Sequence, residues 1–375
     1  NGVSGIEKSF DYELTTSNKP LRLSLDTEIQ YLIREELVKF QEIFNSYGST
    51  AILMNVNNGE ILSMVSLPDF DLNKREDISD KKFINRSTKG VYELGSVFKT
   101  FTLAAGLQQN VIQEDTLFKN LPKKIKCAGR SISEYDMDIP SSLTAEEILI
   151  RSGNIGSIKI AQKVGLENFK DFLENLGLLN KIQFDIEEVG NPIPFKWGKC
   201  KLATSAYGHG ITTTPLQLAK AYAIIANGGY KIKPTLIKKE KNLKRGEQII
   251  TQENSSKINE ILRKIVTSEQ GTANLANIAG YEIAGKTGTA QKSIKGKYSK
   301  KKINTFASIF PISSPKYVLI VLLDEPKLSE TYIYEYNDGK KRKIIGTPFN
   351  TAGWTSVEVA KNIIEKIGPI LAIKY

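Results

Sequence analysis

Tyr92-Glu-Leu-Gly-Ser-Val-Phe-Lys-Thr100 is the stretch on which the reading of this chain turns. A small turn residue throws Ser96 onto the start of a helical pattern that carries Phe98, Phe101, Leu103 and Leu107, and Lys99 follows three residues later. Residues three apart on a helix lie one above the other, so this spacing predicts the Lys99 amine held against the Ser96 hydroxyl. Such a pair is the minimal apparatus of a serine nucleophile with a lysine base. Surface helices also bring serine and lysine together by chance, so the motif gains force only from what surrounds it.

Upstream, Asp26 caps a helix in which Ile29, Leu32, Ile33, Leu37, Phe40 and Phe44 form one apolar face. Two β-like runs follow, Ala51 to Val56 and Ile61 to Ser66, joined by Asn57-Asn58-Gly59-Glu60, which suits a tight hairpin. Pro68 to Gly90 reads as a loop. Residues 1 to about 20 are polar and turn-rich, and read as a linker or the tail of a preceding domain.

Downstream, Ile112 to Arg130 is irregular and lysine-rich. Thr144 and Glu147 form a capping box for a short helix ending at Arg151, and Ser152-Gly153-Asn154 separates it from a second helix closing at Gly165. A third helix spans Glu167 to Leu176. Thr214 as cap, Pro215 at the first position and Gly228 past the end define another, and one more runs from about Ser256 to Val266. The period then changes. Tyr281 to Gln291, Asn304 to Ile312 and Tyr317 to Leu323 read as strands, Lys292 to Lys302 as a solvated hairpin tip, and Thr355 to Ile367 as a terminal helix.

Composition narrows the classes. Of 375 residues, 40% are hydrophobic and 25% charged, which is globular. The net charge of +11 suits an anionic environment, yet no zinc-finger spacing, aromatic RNA-binding pattern or basic zipper accompanies it, so no nucleic-acid partner is expected. Cys127 and Cys200 are the two cysteines; they make no disulfide framework or metal cluster, and two reduced thiols are expected over the alternative of a single bridge between them. His209, the single histidine, rules out a multi-histidine zinc site. It reads as a hydrogen-bonding residue of a glycine-flanked loop. No metal or cofactor is expected. No run approaches the roughly 20 apolar residues of a membrane helix.

Two further motifs compete for meaning. Lys286-Thr287-Gly288-Thr289 lies in the first strand after the helical insertion, and with Ser152-Gly153-Asn154 it completes a Ser-x-x-Lys, Ser/Asn, Lys-Thr-Gly series in that order. Gly280 to Thr287 also fits the phosphate-loop spacing, with Val318 to Glu325 as an acidic-ended strand. A phosphate loop needs a buried strand before it and a helix directly after it. Here Gly288, Thr289, Ala290 and Gln291 lead into a lysine run without helical period, so the NTPase reading is kept only as a distant alternative.

On these residues the chain resembles the transpeptidase domain of class B penicillin-binding proteins, and most closely the division-specific (septal) peptidoglycan D,D-transpeptidases. The likeness runs from Leu21 to Leu371 and is carried by Leu23 to Gln30, Asn55 to Pro68, Asn85-Arg86, Tyr92 to Lys99, the Ser152 loop, Tyr207-Gly-His-Gly, Thr214-Pro-Leu-Gln217 and Gly285 to Gln291. It implies an α+β fold with a five-stranded antiparallel sheet flanked by helices and a large helical subdomain. The transpeptidase domain would span 21–375, with 1–20 a remnant of a non-catalytic N-terminal domain. Gly153 stands where the family often has Ser, and Val97 where Thr is common.

The resemblance further implies that Ser96 attacks the carbonyl between the last two D-alanines of a peptidoglycan stem peptide. Lys99 would act as base, its pKa lowered from an ordinary value of about 10.4 by burial and by the like charge of Lys286. Ser152 would relay a proton to the leaving amine, and Asn154 would hydrogen-bond Lys99 and the substrate. Lys286, Thr287 and Thr289 would receive the terminal carboxylate, Gly288 would permit close approach, and the N–H groups of Ser96 and Thr289 would form the oxyanion hole. Implied partners are stem peptides, β-lactams, a divisome glycosyltransferase and other membrane division proteins, at the periplasmic face of the bacterial inner membrane with an anchor upstream of Asn1. On the same fold, a β-lactamase, a D,D-carboxypeptidase or a β-lactam sensor are the alternatives.

Overall fold

The structure, a computed structural model, describes residues 2–71, 73, 80–127, 129–239, 245–294, 296–336 and 342–375. The expected loop Pro68 to Gly90 therefore lies partly outside the described residues. Two short helices open the chain, α1 (Gly5–Ser9) and α2 (Asp11–Thr16). The expected linker is thus partly helical, but neither helix buries a residue, and α1 is tied to the body through Lys8–Glu187 (2.7 Å) and Gly5 N–H to Glu188 (2.9 Å).

α3 (Thr27–Ile43) starts where Asp26 accepts from the N–H groups of Glu28 and Ile29, and it buries Ile29, Ile33, Leu37 and Phe40. β1 (Gly48–Asn55) and β2 (Ile61–Leu67) form the expected antiparallel hairpin. Its turn is fixed by Asn55 Oδ1, which accepts from Asn57 N–H (2.9 Å) and Asn58 N–H (3.3 Å), an Asx arrangement.

A 3₁₀ turn, Gly95–Phe98, runs into α4 (Lys99–Gln108). After it come the strand pairs β3 (Leu117–Phe118) with β6 (Leu143–Thr144), and β4 (Lys124–Cys127) with β5 (Arg130–Ser133). The β4–β5 hairpin occupies the end of the stretch expected to be irregular. The helical subdomain continues with α5 (Ala145–Ile150), α6 (Asn154–Val164), α7 (Leu166–Asn175) and α8 (Lys199–Ser205). Cys127 and Cys200 are not free thiols: they form a disulfide (Cα–Cα 5.6 Å) that ties the end of β4 to α8. Sequence spacing is blind to such a contact, which depends on the hairpin bringing Cys127 back to the helix.

α9 (Pro215–Ala226) carries a Thr214/Gln217 capping box and is buried at every residue but Lys220, as a helix covered on all sides requires. α10 (Gln252–Thr267) follows. The remaining strands are β7 (Ala284–Ile294), β8 (Lys297–Phe310), β9 (Tyr317–Asp324), β10 (Ile333–Tyr336) and β11 (Arg342–Ile345), and α11 (Ser356–Lys374) closes the chain.

The main sheet is antiparallel throughout, in the order β2-β1-β9-β8-β7. All eight residues of central β9 are buried, so both faces of the sheet are covered there. α3 and α11 pack on one another and on the sheet, while α9 packs on β1, β8 and β9. The expected α+β fold with a five-stranded antiparallel sheet and a helical subdomain is what the chain adopts. Among the described residues no helix is long and apolar enough to cross a membrane.

Two expectations about the last third change. Lys286 and Thr287 sit mid-strand in β7, opposite Ala307 and Phe306 of β8, and no helix follows them, so the phosphate-loop reading falls. Asp324, its supposed acidic partner, instead faces Arg86 (3.6 Å) and Lys292 (2.7 Å). The lysine run is not merely solvated either. β7 and β8 stay paired out to Ile294 and Lys297, with Lys292 also bridging Glu325 (2.8 Å) and Lys301 reaching Glu325 (2.7 Å).

Candidate active site

The 3₁₀ turn Gly95–Phe98 lies between the sheet edge and the helical subdomain, held from three sides. From α9, Tyr222 Oη donates to Val97 O (2.9 Å) and also meets Thr100 Oγ1 (2.9 Å). From β7, Gly288 comes so close that a Cβ there would sit 2.2 Å from Leu94 O. From the loop after α8, a Cβ on Gly208 would sit 2.0 Å from Gly95 O. Only glycine permits both approaches. The nucleophile candidate is thus mounted on backbone packing rather than on a mobile loop. Ser96 is half-buried, and it lines a cleft of about 700 Å³ together with Ser152, Asn154, Thr287 and Thr289.

Across the cleft, α5 ends in a hydrogen-bonded cap. Ser152 N–H donates to Leu149 O (3.1 Å) and Gly153 N–H to Ile148 O (2.8 Å), the two bonds of a Schellman end. That geometry requires a left-handed residue, and Ser152 supplies it at φ +58°. Glycine is the usual occupant. A serine held there is backbone strain placed next to chemistry, and its hydroxyl points between two lysines. Ser152 Oγ accepts from Lys286 Nζ (2.9 Å) and Lys99 Nζ (3.2 Å), and Lys99 Nζ also donates to Ser152 O.

Both lysines are buried, Lys99 at 2% exposure and Lys286 at 0%. Burial disfavours the charged form. It lowers Lys99 from 10.5 to about 7, opposed by the negative charge of Glu134. Lys286 is pushed well below its usual range, by burial first and by the charge of Lys99 second. The like-charge effect expected on Lys99 therefore falls on Lys286, and burial does the work at Lys99.

Three expected contacts differ. No hydrogen bond joins Ser96 to Lys99, whose amine has turned to Ser152. Asn154 does not bond Lys99; its Nδ2 donates to Ser133 O (2.9 Å) on the β4–β5 hairpin, which leaves its amide at the cleft wall. Lys286 lies behind Ser152 rather than among the residues that line the open cleft, where the hydroxyl-bearing Thr287 and Thr289 do stand. These are held in turn: Thr287 Oγ1 meets Thr272 Oγ1 (2.7 Å), and Thr289 Oγ1 accepts from Ala352 N–H (2.9 Å).

The cleft and its surroundings also contain residues that sequence reasoning did not single out. Glu134, 7% exposed, accepts from the N–H groups of Asn154 (2.6 Å) and Ile155 (2.8 Å) at the start of α6. Glu93, which does not line the cleft itself, accepts from Tyr298 Oη (3.0 Å) and Gly210 N–H (2.8 Å) beside the wall residue His209. Asp136 accepts from Arg151 (3.1 Å) and Asp138 N–H (2.9 Å). Only Glu93, three residues before Ser96, could have been found from its place in a motif. His209 stacks with Tyr207 (5.8 Å) and Tyr298 (4.5 Å) at the cleft edge, Nδ1 3.8 Å from Glu93, and is a wall residue rather than a base for Ser96.

Comparison with known proteins agrees with this geometry. The family described as "Penicillin binding protein transpeptidase domain" matches residues 49–350. A probable peptidoglycan D,D-transpeptidase FtsI of Caulobacter vibrioides is 32% identical over 100% of this chain, which spans 63% of that relative's length. The peptidoglycan D,D-transpeptidase FtsI of Escherichia coli is 29% identical over 88% of the chain and 60% of its own length. Among solved structures, the apo transpeptidase domain of Burkholderia pseudomallei penicillin-binding protein 3 superposes with a TM-score of 0.80 at 26% identity, covering 94% of this chain and 97% of that one. With the Ser-x-x-Lys turn, the Ser152 cap and the Lys-Thr-Gly strand around one cleft, the chain belongs to the penicillin-binding protein transpeptidase domain family.

Proposed function

We propose that this chain is the catalytic domain of a septal peptidoglycan D,D-transpeptidase. Ser96 Oγ attacks the carbonyl between the two terminal D-alanines, and its proton passes to neutral Lys99. The oxyanion rests on the N–H groups of Ser96 and Thr289, an arrangement typically worth about 3 kcal/mol per donor. The tetrahedral centre collapses, the C–N bond breaks, and the leaving D-alanine amine takes a proton through Ser152 from the lysine pair. The amine of a second stem peptide then attacks the Ser96 ester, its proton passes through Lys99 to Ser96 Oγ as the ester C–O bond breaks, and the cross-link forms with Ser96 and neutral Lys99 restored. Thr287 and Thr289 hold the terminal carboxylate, and Asn154 offers its amide to the donor peptide.

The observation that carries this reading is the single hydroxyl of Ser152 shared by two buried lysines at the wall of the cleft that Ser96 lines. A β-lactam, which mimics the dipeptide, would acylate the same Ser96 hydroxyl and remain as an adduct. The septal role, the partner glycosyltransferase and the site of action outside the cytoplasm rest on the names of the relatives and the nature of the substrate.

A labelled penicillin tests the assignment. One adduct per chain is expected on Ser96, visible as a mass increase and absent from Ser96→Ala. Label that survives this substitution, or rapid turnover of a chromogenic β-lactam, would overturn it.

A further inference from the structure

The Ser152 turn has to be held against its own backbone strain, and α5 supplies only one side of the support. The other side is the start of α6, whose first N–H groups have no partner within the helix. Glu134 meets two of them with its two carboxylate oxygens: Oε2 accepts from Asn154 N–H (2.6 Å) and Oε1 from Ile155 N–H (2.8 Å). A carboxylate at a helix N-terminus is favoured by the helix dipole, and charge-assisted bonds of this length are the strong ones. The clasp is extended by Asn154 Nδ2 on Ser133 O, and Glu134 N–H donates to Lys123 O (3.0 Å), so Glu134 is itself fixed to the strand-linked segment before it. It is buried, borders the cleft, and touches neither Ser96 nor the carboxylate position.

The geometry points to Glu134 as a positioning residue of the acyl transfer, which clamps the start of α6 so that Ser152 stays between Lys99 and Lys286 and which sets a buried negative charge facing that pair. This inference rests on the acyltransferase reading of Ser96. The charge acts on Lys99 by stabilising its ammonium form, opposite to burial. The other groups facing Lys99 are Lys286 from β7, which opposes a second positive charge, and the neutral hydroxyl and carbonyl of Ser152. Arg151 and Asp136 in the same cleft neutralise one another at 3.1 Å. Glu134 is therefore the group whose removal changes the proton affinity of the base without altering the base itself.

The test is the rate of acylation by a fluorescent penicillin, measured from acid to alkaline pH on the full chain. Glu134→Gln keeps the shape but loses the charge and presents an amide donor to one of the two N–H groups. Its plateau rate is expected to fall about tenfold or more from misplacement of Ser152. Its acidic limb is expected to move to lower pH by about half a unit or more, because Lys99 sheds its proton more easily once the negative charge is gone. Glu134→Asp keeps the charge but shortens the reach, so its limb should stay where the wild type has it while the plateau falls. A residue needed only for folding would lower the plateau of both variants and leave both limbs in place. An unmoved limb in Glu134→Gln overturns the proposal whatever the plateau does. If that variant does not fold, an undiminished plateau in Glu134→Asp overturns it. Absence of label in the wild type would instead overturn the acyltransferase reading beneath it.

Discussion

Ser152 carries two opposed demands in one residue. Its backbone asks for glycine, and its place between Lys99 and Lys286 asks for a hydroxyl. Comparing two variants separates these demands. Ser152→Gly and Ser152→Ala both lose the hydroxyl and should lose most acylation, but glycine relieves the left-handed strain that alanine retains. Ser152→Gly should therefore be the more stable of the two by about 1 kcal/mol in urea denaturation; equal stability would show that the turn is not strained. Lys99 sets the pH range of the reaction at the same scale. A base held near 7 is half neutral at that pH, so the acylation rate should climb as pH rises through about 7 and level off above it. A limb near the ordinary lysine value would show that Lys99 is not the base.

At the scale of elements, the cleft wall depends on a small hairpin. β4 and β5 are four residues each, and β4 alternates exposed and half-buried side chains, with Ile132 of β5 the member that enters the core. Such a hairpin is marginal by itself. The Cys127–Cys200 bridge supplies the missing constraint, closing a loop over a sequence separation of 73 residues. Chain-entropy arguments give a contribution of about 4 kcal/mol for a loop of that length. Cys127→Ser with Cys200→Ser should lower the melting temperature and slow acylation together, since Ser133 ends β5 and Glu134 follows it directly. Reduction of the wild type should do the same, whereas unchanged acylation in the double variant would show that the hairpin holds its place unaided.

The whole molecule shows which features were legible from sequence. Those set by local pattern were: the Asp26 cap, the Thr144–Glu147 and Thr214–Gln217 boxes, the Asn55–Glu60 turn, and the three main-sheet strands of the last third, though not the β10–β11 pair beside them. Ser96, Lys99, Ser152 and Lys286 were also legible as a series, because each sits in a local motif. What was hidden depends on long-range placement. Asn154 bonds Ser133 instead of Lys99, and Glu134 reaches α6, because the β4–β5 hairpin, whose Gly129 turn lies within a lysine-rich stretch read as irregular, folds back across the helices. Stability integrates the same buried chemistry over the chain. A lysine held at about 7 takes up its proton in the unfolded chain at about 10.5 but not in the native one, so folding loses stability as pH falls from about 10.5 to about 7 and then levels off. Lys99→Met removes that cost and should raise stability at neutral pH by a few kcal/mol, on the order of the shift involved, while abolishing acylation. Equal melting temperatures at pH 7 would contradict it. The bridge between Cys127 and Cys200 bears on the order of events as well. The loop it closes contains α5, α6 and α7, and with them the Ser152 turn. Newly made chain in reducing surroundings lacks that closure. The full rate of acylation is thereby tied to the history of the molecule, since the wall that carries Ser152 is complete only once the chain has met an oxidant.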